Sequence, residues 1–187
     1  TQLVVHESQE AFLFVEGELA GKFGPGRYTL DTKNLPILRH LYGFPFGGKN
    51  PFTAEVWFVS KLNLYNLTWS IDNISIHDID YDTYLPLAAN GQYGIRVADG
   101  ENFLIKAVGT KQTFTQRDMT SQFEGEFNTK AKSAITQFLG MNKIGFKGIS
   151  AHLDSISEYL KEKMVPFWAG LGIELTKFYV STIEIDD

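Results

Sequence analysis

The sequence predicts an α+β fold, with an N-terminal antiparallel β-rich subdomain followed by an α/β subdomain of about three helices and a C-terminal strand. Apolar residues alternate with a period of two along much of residues 3–30 and 53–97. The period changes to 3.6 in the second half of the chain and returns to two at residues 173–185. We therefore predict a single domain, divided into a β-rich subdomain at residues 1–84 and an α/β subdomain at residues 85–187.

The chain opens with a predicted β-meander, whose short strands lie at residues 3–5, 11–15, 19–23 and 27–30. Glu16-Gly17-Glu18 separates the second strand from the third. Gly24-Pro25-Gly26 forms the next turn, because proline fixes φ near the value that a turn requires and glycine adopts positive φ. Residues 34–52 are rich in proline and glycine, and we predict a long irregular connection there.

Three further strands are predicted at residues 53–59, 63–69 and 85–97. The last is the clearest, because its alternate residues share one face: Leu85, Leu87, Ala89, Gly91, Tyr93, Ile95 and Val97. Pro86 near its start is typical of an edge strand or of the beginning of a strand.

Three helices follow, each with a polar residue at its predicted start. Asp99 caps the first, Thr115 and Asp118 resemble a capping box for the second, and Ser150 caps the third. Pro166 is expected to kink or tighten the last turn. The predicted apolar stripes are Phe103, Leu104 and Ala107 in the first helix, Phe123, Phe127, Ala131, Ala134, Ile135 and Phe138 in the second, and Leu153, Ile156, Leu160, Met164 and Phe167 in the third.

A final strand is predicted at residues 173–185, where apolar and polar residues alternate again. Strict alternation divides its side chains into two sets, with Ile173, Leu175, Lys177 and Tyr179 on one side and Phe178, Val180 and Thr182 on the other.

Composition excludes several classes of function. Lys and Arg together number 17 and Asp and Glu 22, which gives a net charge of −5. An acidic chain without a basic run is not expected to bind nucleic acid or an anionic membrane surface through charge. The sequence has no cysteine, which rules out disulfides and thiolate chemistry within these residues and fits a reducing cytoplasm.

The densest group of carboxylates is a candidate cation site at Asp78, Asp80 and Asp82, within the tract of residues 77–82. Spacing excludes an EF-hand loop, since the sixth position from Asp78 is Thr83 instead of glycine and the twelfth is Ala89 instead of glutamate. A solvated acidic turn is the favoured interpretation, with a weak cation site as the alternative.

Nothing in the sequence predicts catalysis. The four histidines lack metal-ligand spacing, and no serine lies in a nucleophile-elbow motif. Neither glycine-rich tract has the spacing of a phosphate-binding loop. We expect neither an enzyme nor a bound cofactor. Trp57, Tyr65 and Trp69 form a candidate protein interface on the strands, with core packing as the alternative.

Segments distributed along nearly the whole chain carry a resemblance to a known family. They are residues 3–11, 23–30, 34–38, 50–59, 67–69, 91–97, 103–104, 108–110 and 175–178. These segments resemble bacterial SPFH-domain (Band 7) proteins, the stomatin, prohibitin, flotillin and HflK/C superfamily, and most closely its soluble "virion core protein" branch. The sequence departs from the family pattern around residues 71–84, which are longer and more acidic.

The resemblance implies a β-rich subdomain followed by an α/β one, and a non-enzymatic scaffold that oligomerises at or near membranes in stress responses. We therefore expect self-association, further protein partners among membrane-stress components, and no nucleic acid. The expected location is the cytoplasm, with membrane contact only peripheral or through segments outside these residues. A small-ligand, lipid or cation-binding domain is the alternative hypothesis.

Overall fold

The computed structural model describes residues 2–30, 54–109, 111 and 113–187. The chain forms two compact units, Thr1–Leu62 and Asn63–Asp187. The irregular connection predicted at residues 34–52 lies outside the described residues.

The first unit is built from short antiparallel strands. They are β1 (Gln2–Val5), β2 (Gln9–Val15), β3 (Glu18–Phe23), β4 (Gly26–Thr29) and β5 (Ala54–Ser60). One sheet has the order β3-β2-β5, and β1 pairs with β4. Glu16 and Gly17 join β2 to β3 with φ of 52° and 80°, as a two-residue hairpin turn requires, which confirms the break predicted there.

The core of this unit is a cluster of apolar residues that comprises Leu3, Val5, Ala11, Leu13, Val15 and Phe23. Tyr28 packs against this cluster, with its ring edge-to-face against Phe23 at 4.9 Å between centroids. Its hydroxyl donates a 2.9 Å hydrogen bond to the carbonyl of Gly24.

The predicted meander is wrong in its connectivity after β3. Because β3 pairs with β2 whereas β4 pairs with β1, Gly24-Pro25-Gly26 connects two sheets instead of closing a hairpin. Gly26 has a φ of 146°, so the expectation of positive φ at this glycine is confirmed.

The second unit contains a sheet of three long antiparallel strands in the order β6-β7-β8. They are β6 (Leu64–Asp78), β7 (Thr83–Val97) and β8 (Ile173–Ile185). Because β6 pairs with β7 along most of its length, residues 63–84 belong to the same compact unit as the helices. The compact units therefore divide at Leu62 and Asn63, whereas the sequence places the subdomain boundary at residue 84.

Bulges interrupt both edge strands of this sheet. In β6 the pairing shifts between Leu64 and Leu67 and again between Ile71 and Ile74. Asn66 and Asn73 within these shifts have φ of 60° and 55°, a conformation that asparagine tolerates well.

The predicted division of the β8 side chains between the two faces of the sheet is wrong, because β8 contains two bulges. Thr176 and Ser181 are the extra residues, and each one reverses the face that the following residues present. The buried set is therefore Ile173, Leu175, Phe178, Val180 and Ile183, while Tyr179 is exposed.

Helices occupy the chain between β7 and β8. A short α1 (Gly100–Phe103), capped by the Asp99 side chain as predicted, continues into a π-helical segment, Leu104–Val108. The long α2 (Gln116–Met141) begins with the predicted capping box. The predicted apolar stripe of this helix is confirmed except at its end. Phe138 was expected to be buried and is only half-buried, and the neighbouring Leu139 is buried instead.

The third helix differs from prediction at its start. Ser150 lies inside a 3₁₀ helix, Phe146–His152, and α3 (Leu153–Gly170) begins after it with His152 at the cap position and no side-chain cap. Pro166 lies within the helix, which continues to Gly170. Trp168 is buried, and Phe167 is only half-buried, so the inward residue of the last turn is one position later than predicted.

Stacked aromatic rings join the helices to the sheet in this unit. Phe123 on α2 stacks on Tyr93 of β7 at 4.4 Å and on Trp168 of α3 at 5.0 Å. Trp69 of β6 stacks on Phe178 of β8 at 5.4 Å. This cluster lies entirely within the second unit and fixes α2 and α3 against the same face of the sheet.

Candidate functional site

Two of the three aspartates in the acidic tract accept hydrogen bonds from backbone N–H groups. Asp78 is 1% exposed, and its carboxylate accepts hydrogen bonds of 2.7 Å from the Tyr81 N–H and 2.6 Å from the Phe146 N–H. Asp80 accepts one of 3.0 Å from the Lys147 N–H. The interpretation of this tract as a solvated acidic turn is therefore wrong for Asp78, which joins the β6–β7 turn to the 3₁₀ helix.

The three candidate cation ligands are not gathered around a common point. Asp82 is exposed and its carboxylate lies 3.3 Å from the His77 imidazole, while the other two carboxylates bind backbone N–H groups. In the part of the chain that the structure describes, no group of three or more His, Asp or Glu side chains could hold a metal ion.

The three aromatic residues of the candidate interface have different environments. Trp69 is buried and donates its indole N–H to the Tyr179 carbonyl at 3.1 Å, so core packing accounts for it. Trp57 is half-buried on β5 of the first unit. Tyr65 is 59% exposed, with the Lys177 ammonium 5.0 Å from its ring centroid. Tyr65 is thus the residue of the three that a partner could contact most directly.

A groove that the sequence did not predict is lined by α2 and the sheet of the second unit. We call it the α2 groove and define it by Thr68, Ser70, Asn90, Gln92, Glu124 and Asn128. Its volume is about 440 Å³. An adjoining cavity of about 440 Å³ shares four of these residues and adds Asp72 and Lys132.

Helical spacing explains how α2 forms its side of the groove. Phe123 and Phe127 point into the aromatic core, so the residues that follow them, Glu124 and Asn128, lie along the margin of the buried stripe. The sequence contained no signal for this groove, because it arises from the separation between the helix and a sheet that is distant in the chain.

A buried tyrosine contributes to the lining of the groove. Tyr93 is 1% exposed and is one of the residues that line the groove. Burial, followed by the nearby Glu124 carboxylate, raises the pKa of Tyr93 to about 12. At neutral pH the groove therefore contains a neutral phenol donor near a carboxylate acceptor.

A second cavity, of about 590 Å³, lies at the start of α3 and includes Lys143, Lys147 and His152. The Lys147 ammonium lies 5.2 Å from the Tyr81 ring centroid, and the Lys147 N–H donates to the Asp80 carboxylate at 3.0 Å. None of the described helices combines the length and the apolar character needed to cross a membrane.

A family model described as "SPFH domain-Band 7 family" matches residues 1–187. The chain belongs to the SPFH domain-Band 7 family. This membership confirms the resemblance seen in the sequence, and the architecture of strands, then helices, then a final strand confirms the predicted α+β class.

This SPFH domain is also similar to the uncharacterized protein YdjI of Bacillus subtilis (strain 168), with 27% identity over 124 residues. The matching region covers 65% of this chain and 38% of YdjI, so the chain corresponds to well under two thirds of that relative's length.

Proposed function

We propose that this SPFH domain is a non-enzymatic scaffold module that self-associates through the edges of its β6-β7-β8 sheet. The observation that carries the proposal is the length of those edges. β6 has 15 residues and β8 has 13, and within the described residues each pairs only with β7. An exposed edge presents unpaired N–H and C=O groups that a strand of another chain can bind.

The two edges are different, which favours pairing of β6 in one copy with β8 in the next. On β8, the Val180 N–H is bonded to the Ser157 hydroxyl at 2.9 Å. On β6, the Asn73 N–H in the second bulge is bonded to the Asp186 carboxylate at 3.0 Å, which leaves the part of β6 between its bulges for pairing. Pairing of unlike edges is heterologous, and repetition of it produces a ring or a filament. Such an assembly would suit a scaffold.

The proposal assigns no catalytic residue and places the domain in the cytoplasm, with peripheral membrane contact and membrane-stress components as further partners. The family resemblance supports these points. A cation-binding function has less support, because two of its three candidate carboxylates already accept backbone hydrogen bonds.

Sedimentation velocity over a range of concentrations tests the proposal. Ser75→Lys adds a positive charge to β6, and Glu184→Lys replaces a negative charge on β8 with a positive one; both positions are exposed. Lysine on an edge strand hinders pairing with another strand. The unmodified chain should associate as concentration rises, and each variant alone should remain monomeric.

A mixture of the two variants provides the sharper result. The open β8 of the Ser75→Lys chain can pair with the open β6 of the Glu184→Lys chain, so the mixture should form a dimer and nothing larger. Thr129→Lys and Glu158→Lys are matched controls on exposed helical positions and should associate like the unmodified chain. A strictly monomeric unmodified chain would overturn self-association, and variants that associate normally would overturn the role of the edges.

A further inference from the structure

We infer that the cavity at the start of α3 binds a short acidic segment of another protein. The cavity lies where α2 ends and α3 begins, and we call it the α2–α3 cleft. Its lining includes Ile79, Phe138, Lys143, Ile144, Lys147 and His152. None of these residues belongs to β6 or β8, so the cleft is separate from the sheet edges proposed for self-association.

Helical spacing places the two walls of the cleft opposite each other. Phe138 lies in the last turn of α2, and its ring meets the Tyr159 ring of α3 at 5.4 Å between centroids. His152 and Ser155 precede Tyr159 at helical spacing, so they lie on the same side of α3. The cleft therefore extends from this ring contact towards the connection between the helices.

Two lysines give the cleft its positive charge. Within the described residues, neither Lys143 nor Lys147 takes part in an ion pair, whereas Lys61, for example, forms one at 3.0 Å. Asp80 is the one carboxylate in the lining, and it accepts the Lys147 N–H at 3.0 Å. A segment rich in carboxylates is complementary to this charge, and His152 can offer it a further N–H donor.

Apolar side chains beside these charges define the partner further. Ile79 is 56% exposed, and Phe138 and Ile144 are half-buried. A large apolar residue of a ligand would remove this surface from water. We therefore expect the bound segment to carry such a residue next to its carboxylates.

The charge of the whole chain favours a short segment over a long polyanion. Because the net charge is −5, nucleic acid or an anionic membrane would meet repulsion from the surface outside the cleft. A short peptide needs to contact only the cleft. The volume of about 590 Å³ lies within the range of about 300–1,000 Å³ that is typical of small-ligand sites, which suits a few side chains.

Fluorescence anisotropy on the full chain tests the inference, with the labelled peptide Glu-Glu-Leu-Glu-Glu as the probe. The comparison peptides are Gln-Gln-Leu-Gln-Gln, which lacks the charge, and Glu-Glu-Ser-Glu-Glu, which lacks the apolar residue. The probe should bind more tightly than both, and its affinity should fall several-fold between about 50 mM and about 300 mM NaCl, because salt screens charges. Absence of binding, equal binding of the glutamine peptide, or tighter binding of an oligothymidylate of the same charge would overturn the inference.

Variants of the two lysines connect the binding to the cleft. Lys143→Gln and Lys147→Gln each remove one exposed charge, and each should weaken binding of the probe by about twofold to fivefold. The double variant should weaken it about tenfold. Lys106→Gln, at an exposed position of the π-helical segment, is the matched control and should bind normally. Equal affinity of the double variant and the unmodified chain, with both shown to be folded by thermal unfolding, would contradict the assignment.

Sedimentation velocity of the double variant separates this inference from self-association through the sheet edges. The double variant should associate with concentration as the unmodified chain does, because both lysines lie outside β6 and β8. Loss of association in the double variant would assign the cleft to a second copy of the chain and would overturn the acidic partner.

Discussion

Gly91 on the central strand gives room for a tryptophan that crosses the sheet. Trp69 on β6 reaches over Gly91 and donates its indole N–H to the Tyr179 carbonyl on β8 at 3.1 Å. A Cβ atom at position 91 would collide with that carbonyl and with the tryptophan ring. A single hydrogen bond thus connects the two edge strands, and it depends on the absence of a side chain between them.

Gly94 has a similar role three residues later on β7. The Lys177 side chain passes beside it and places its ammonium 5.0 Å from the Tyr65 ring centroid. A Cβ atom at position 94 would lie 3.1 Å from Lys177 Cγ. This contact between the edge strands, like the hydrogen bond of Trp69, therefore passes beside a glycine of the central strand.

The Gly91→Ala substitution should destabilise the chain by about 2–3 kcal/mol, because the added methyl group overpacks a site bounded by backbone. The measurement is the free energy of unfolding in urea, followed by tryptophan fluorescence. Gly125→Ala is the matched control, since no atom lies within 4 Å of its added Cβ. That control lies in α2 and should stabilise the chain by up to about 1 kcal/mol, because alanine favours helix. Equal effects of the two substitutions would contradict this account of Gly91.

The capping box of α2 shows what a local pattern can predict. The Asp118 N–H donates to the Thr115 hydroxyl at 3.3 Å, and the Thr115 N–H donates to the Asp118 carboxylate at 2.9 Å. All the participants lie within four consecutive residues, so the sequence contained the whole motif. The stripe of α2 was predictable for the same reason, because helical geometry repeats without interruption.

Features that join distant segments were not predictable in this way. Bulges at Thr176 and Ser181 decide which face of the sheet each part of β8 presents. The alternation of apolar and polar residues in the sequence does not reveal where such an extra residue is inserted. The burial of Asp78 depends on the N–H of Phe146, which is 68 residues away in the chain. The α2 groove likewise depends on helix-to-sheet packing and not on any run of residues.

The capping box should make stability depend on pH. The pKa of Asp118 is lowered from its ordinary value of 3.8 by the hydrogen bond from the Thr115 N–H, then by that from the Thr115 hydroxyl and by the Lys111 ammonium. Because the folded-state pKa is the lower one, the stabilisation is complete above the unfolded pKa and is lost as pH falls through the folded value.

Asp118→Asn should therefore be less stable than the unmodified chain at neutral pH, and the difference should shrink near pH ~3. Urea unfolding at both pH values measures this difference. Asp187→Asn, at an exposed position, is the control and should show no such gap at either pH. A gap of the same size at both values would mean that the carboxylate does not act through its charge.

At the scale of the whole molecule, each compact unit contains its own apolar core. The first unit has the cluster around Leu13 and Phe23, and the second has the aromatic cluster around Phe123. Both buried tryptophans, Trp69 and Trp168, belong to the second unit, whereas Trp57 belongs to the first. This distribution allows the unfolding of the second unit to be observed separately by fluorescence.

A chain of residues 63–187 should fold without the first unit, because its strands, helices and aromatic core are contained within it. We expect a cooperative thermal transition and near-ultraviolet circular dichroism typical of fixed aromatic rings. In the full chain, Trp57→Phe leaves only the two tryptophans of the second unit, so its fluorescence transition should coincide with that of the shorter chain. A shorter chain with secondary structure but no near-ultraviolet signal would be a molten globule, and it would show that the core of the second unit requires the first.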